Sequence, residues 1–69
     1  MVLDRNALRD RLEEIRMNTG YSQEQLSKDI GIGLSTIGWF LRNEREIHHR
    51  TYSKILKYVI KMEKELEIV

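Results

Sequence analysis

Cysteine and proline are both missing from the chain. The first absence excludes disulfides and thiolate metal sites, and the second removes the residue that most sharply interrupts a helix. Long apolar runs are missing too: the start, MVLDRN, is polar, and no stretch suits a signal peptide or a membrane span. A cytoplasmic location is therefore expected. Nor is there an excess of one charge, since 12 Lys and Arg stand against 11 Asp and Glu for a net +1. Overall charge thus gives no strong argument for nucleic acid, and only its distribution can. Sustained alternation, repeats, low-complexity segments and flexible linkers are likewise absent.

What remains is a 69-residue chain, 41% hydrophobic. That length suits one domain, which buries about 60% of its unfolded surface and is held by a few kcal/mol. A single all-α domain is expected.

Its first helix starts near Asp4 or Asn6, either of which can cap it, and carries Leu8, Leu12 and Ile15 at helical spacing. Asn18-Thr19-Gly20 ends it. In the second helix Ser22 is a cap, Gln25 stands where its side chain can return a hydrogen bond, and Tyr21 and Leu26 occupy the two staple positions. Leu26 and Ile30 face inward, while Ser27 is small enough to let another helix approach. Gly31-Ile32-Gly33 then turns the chain and restarts it within three residues.

Around the third helix, Leu34, Ile37, Phe40 and Leu41 form the inward face. Ser35, Gly38, Trp39 and Arg42 fall opposite, an unusual set for a surface where solvent favours Lys, Glu or Gln. The last helix, over about 51–67, opens at Arg50 or Thr51 and carries Tyr52, Ile55, Leu56, Val59 and Ile60 as an apolar stripe, with Met62 and Leu66 beyond. About sixteen residues would give it a length of roughly 24 Å, enough to outrun a three-helix core.

Charge is balanced at both ends. Residues 1–20 hold four Arg and four acids, and residues 55–69 hold three Lys and three Glu. Lys57, Lys61 and Lys64 are matched by Glu63, Glu65 and Glu67, which argues against a membrane-binding stripe. Between these ends Arg42, Arg45, Arg50 and Lys54 face only Glu44 and Glu46, so a basic segment follows the third helix. His48 and His49 lie within it without the Cys or carboxylate company of a metal site, and a solvated or phosphate-facing loop is expected there.

Gln23, Leu26, Ser27, Ile30, Gly31, Ile32, Ile37 and Phe40 stand at spacings that resemble the Cro/C1-type (lambda-repressor-like) helix-turn-helix family. The resemblance spans about residues 8–62. It implies a compact four- to five-helix DNA-binding domain, with a helix-turn-helix core over 22–41 whose third helix lies in the major groove. It also implies base reading by Leu34, Ser35 and Trp39, with Thr36 and Gly38 close to the DNA. Gln23 and Asn43 match phosphate-holding positions, with Arg42 and Arg45 beside them; Ser22 and Arg50 complete the expected interface. The chain departs from the family in having apolar Leu34 and Trp39 where polar readers are usual, Gly33 where Ser or Thr usually caps, and one continuous last helix where two are usual.

The function expected is sequence-specific double-stranded DNA binding by a bacterial or phage repressor-type regulator. It would act as a homodimer joined through the last helix, without cofactor, metal or catalysis. The alternatives are a protein-interaction module anchored on Trp39, or the DNA-binding N-terminal domain of a transposition or packaging protein.

Overall fold

Among the described residues, side-chain caps open three of the four helices. In the computed structural model, which describes residues 4–67, the Asp4 carboxylate accepts a hydrogen bond from the Ala7 N–H at 2.9 Å. Asp4 rather than Asn6 therefore opens α1 (Arg5–Thr19), which closes at left-handed Gly20. Ser22 opens α2 (Gln23–Ile30) by accepting from the Gln25 N–H at 3.1 Å. The return bond expected from the Gln25 side chain is not made. Its amide donates at 2.9 Å to Asp29, one turn ahead on the same face, where a charged acceptor competes well for it.

The third helix, α3 (Leu34–Arg42), begins without a side-chain cap, as expected of Gly33. The last, α4 (His49–Leu66), starts ahead of Arg50 and Thr51 because the His48 ring Nδ1 accepts from the Arg50 N–H at 3.2 Å. His48 thus caps α4 while its side chain stays exposed, and His49 is the first residue of the helix. An uninterrupted run of 18 residues then makes α4 longer than expected. No strand occurs among the described residues, and no helix there is long and apolar enough to cross a membrane.

Leu8, Leu12, Ile15, Leu26, Ile37, Phe40, Ile55 and Val59 are fully buried, and Ile30 and Met62 complete the core. These residues unite α1 with α4 and α2 with α3, and further contacts of α1 with α3 and of α2 with α4 close the bundle. Two apolar residues assigned inward are not there: Leu34 is 51% exposed and Ile60 44%. Leu34 is the first residue of its helix and Ile60 flanks the buried stripe of Ile55, Val59 and Met62, so neither reaches the interior.

The end of α4 does not outrun the bundle. Glu63 is only 4% exposed and receives Arg11 of α1 in a two-pronged pair, one bond being Nε to Oε2 at 2.7 Å and the other reaching Oε1. A buried carboxylate is tolerated when its charge is paired and hydrogen-bonded in this way. The hydrogen bond to Glu63 in turn raises the pKa of the Arg11 guanidinium above its ordinary value.

The turn between α2 and α3 is the tightest feature. Gly31 adopts φ 84°, and the Ser27 carbonyl accepts from both the Gly31 and the Ile32 N–H groups, at 2.9 and 3.0 Å. Ser27 itself is buried, its Oγ donating to the Glu24 carbonyl at 2.8 Å. The two glycines of the turn play different parts. A Cβ on Gly31 would meet nothing within 4 Å but would sit on a left-handed backbone, whereas Gly33 has an ordinary φ of −68°. Gly31→Ala is therefore expected to cost about 1–2 kcal/mol, the left-handed penalty alone. Gly33→Ser should stabilise by roughly 0.3–1 kcal/mol, by adding a cap and stiffening the unfolded chain. Thermal melts should show the two midpoints moving in opposite directions.

Candidate functional site

The site expected from the sequence centres on α3, and its local chemistry divides that helix into two ends. At the N-terminal end Leu34 and Ser35 are exposed and Thr36 is half-buried. Leu34 sits immediately after the three-residue turn, so the turn that packs Ile37 inward also projects an apolar side chain into solvent.

The C-terminal end is more crowded. Gly38, expected on the open face, is buried because the Arg42 guanidinium lies across it: a Cβ at Gly38 would stand 3.0 Å from one guanidinium nitrogen. Arg42 is also paired with Glu44, both side chains being about half exposed. Such an exposed pair contributes little to stability, but it orients the guanidinium along the helix.

Trp39 is half-buried rather than fully open. The Arg45 guanidinium stacks over its ring at 4.3 Å from the centroid, a cation–π contact of about 0.5–2 kcal/mol depending on its hydration. Arg45 thus covers the indole instead of standing apart as a separate basic residue. Left-handed Asn43, with φ 57°, closes α3, its N–H donating to the Phe40 carbonyl at 3.2 Å while Glu44 N–H donates to Trp39 O at 3.0 Å. Asn43 therefore has a backbone role at the position where the resemblance implies a phosphate contact.

Arg5 locks this end in place. One guanidinium nitrogen donates to the Trp39 carbonyl at 3.0 Å, the other to the Arg45 carbonyl, and the group lies 5.6 Å from the centre of the Phe40 ring. The first residue of α1 thereby fixes both the end of α3 and the start of the following loop. No signal in the sequence marks Arg5, whose partners lie 34 and 40 residues away.

The remaining expected residues stand on other elements. Ser22 and Gln23 are at the start of α2, where Ser22 Oγ is occupied by its capping bond. Arg50 is exposed in the first turn of α4, a helix whose backbone does not approach α3. The structure therefore gathers Leu34, Ser35 and Thr36 at one end of α3, and Gly38, Trp39, Arg42, Asn43 and Arg45 at the other. Among the described residues no group of three or more His, Asp and Glu is placed to hold a metal.

No family model, curated protein or solved structure matches the chain.

Trp39 is the sole tryptophan of the sequence, so its emission reports directly on the Arg45 stack. Arg45→Ala should uncover the indole and shift its fluorescence to longer wavelength, with helical content unchanged by circular dichroism. An unchanged spectrum would show that the guanidinium does not lie on the ring in solution.

Proposed function

We propose that α2 and α3 form a DNA-binding helix-turn-helix of the Cro/C1 (lambda-repressor-like) type, and that the chain is a repressor-type transcriptional regulator of bacterial or phage origin. The observation that carries this reading is the three-residue turn fixed by Ser27 and Gly31, which delivers a short helix with Leu34 and Ser35 outward and Arg42 and Arg45 at its far end. On this reading α3 lies in the major groove and α2 crosses the backbone. The positive end of α2, at Ser22 and Gln23, faces a phosphate.

Base reading then rests on an unusual mixture. Exposed Leu34 offers an apolar contact to a thymine methyl, while Ser35 and Thr36 offer hydroxyl donors and acceptors. The Trp39 ring lies under Arg45, so the pair meets the sugar–phosphate wall of the groove through the guanidinium, with Arg42 beside it. Two copies would bind half-sites about one helical turn apart, in the cytoplasm. Exposed Ile60, on the outer surface of α4, is the apolar residue we assign to contact between the copies.

Titration of a labelled duplex of random sequence at two salt concentrations tests the reading. Micromolar binding that weakens steeply with salt is expected, and absence of binding at low salt would sink it. Selection from a random pool separates the roles: Leu34→Gln should change the preferred sequence by about 1–3 kcal/mol of discrimination at one position. Arg42→Gln should weaken all sequences alike and lower the salt slope by roughly one.

A further inference from the structure

Along the chain the lysines of the last helix are matched by Glu63, Glu65 and Glu67, but the folded helix separates part of that charge. Arg50, Lys54, Lys57, Lys61 and Lys64 recur at steps of four, three, four and three, so on α4 they fall within an arc of about 80° and extend for about 21 Å. Glu63 lies on the far side, buried against Arg11. Glu67 lies beyond the last helical residue. All five cations are exposed, and none makes an ion pair among the described residues. The nearby acids are Glu65, at the edge of the arc, Glu63 and Glu67, which line a pocket with Lys64 at the end of the stripe, and Asp29, which joins Lys54, Lys57, Tyr58 and Lys61 around a shallow groove of about 270 Å³.

We infer that this stripe of α4 is a second surface for a nucleic-acid phosphate backbone, separate from α3 and indifferent to sequence. One cation about every 5 Å along a rigid line suits a strand that carries one phosphate per roughly 3.4 Å of its axis. A lipid surface fits less well, because membrane-lying helices bury an apolar face beside their cations. Here Ile55, Val59 and Met62 are in the protein core instead, and Ile60 is the one exposed large apolar residue beside the cations among the described residues. The stripe also adjoins the turn that starts α3: Lys54 Nζ lies 3.5 Å from the Gly31 carbonyl. A duplex seated on α3 can therefore extend its backbone onto α4, or a second segment can occupy α4 alone.

The test is a salt series of duplex binding by the full chain and by the triple variant Lys54→Gln, Lys57→Gln, Lys61→Gln. Glutamine keeps a good helix former at each exposed position, and circular dichroism checks that the fold survives. The triple variant should lower the log–log salt slope by roughly two to three, at about 0.9 per phosphate lost. Its affinity at low salt should fall at least tenfold, while the triple Lys→Arg variant should bind like the parent.

An unchanged slope in the glutamine variant overturns the inference. So does a parent chain that binds no duplex, or a lysine dependence seen with phosphatidylserine vesicles and not with duplex. Failure of the α3 reading looks different, because sequence preference would then be insensitive to Leu34→Gln while the slope still followed the lysines.

Discussion

The Ser27 carbonyl, accepting two N–H groups at once, sets the geometry on which the rest of the molecule depends. It holds the end of α2 and both residues that follow it, so left-handed Gly31 has little freedom and α3 restarts at a fixed angle. Ser27 itself is buried, its hydroxyl satisfied by the Glu24 carbonyl of the same helix. Once the angle is set, Ile37 and Phe40 reach the core and Leu34 is left outside. The ten buried apolar residues among those described give a chain this size modest stability, so a turn worth one or two kcal/mol is a large share of it.

The second constraint acts at the other end of α3. Glycine or asparagine in a left-handed conformation can end a helix, but it does not by itself decide where the following loop goes. Arg5 supplies that decision by holding the carbonyls of Trp39 and Arg45 together. Because the Arg45 backbone is held there, its side chain lies over the indole. Arg5 is thus a positioning residue for a surface it does not join.

This difference explains what the sequence could tell. Local features were legible: the caps at Asp4 and Ser22, the turn at Gly31, the spacing of Leu26, Ile30, Ile37 and Phe40, and the unbroken last helix all follow from neighbours within a few residues. Features set by distant partners were not. Arg5 meets residues 39 and 45, and Arg11 meets Glu63, with no periodicity to announce either pair. Leu34 and Gly38 were misplaced because a helical wheel treats a first-turn residue as if it were mid-helix, and cannot foresee a guanidinium folding back over a glycine.

The charge of α4 is legible in the sequence only when it is placed around the helix rather than along the chain. Three lysines and three glutamates in residues 55–69 cancel along the chain. Electrostatic potential at a binding surface depends on where charges stand in space, and within about a Debye length, roughly 8–10 Å, opposite faces of a helix present different fields. Glu63 is committed to Arg11, so its charge stabilises the α1–α4 contact while the lysines stand in solvent. A net charge of +1 is therefore compatible with a basic face, because the cations share one arc of the helix while Glu63 is spent on Arg11. The same segregation that docks α4 onto α1 leaves its outer surface positive.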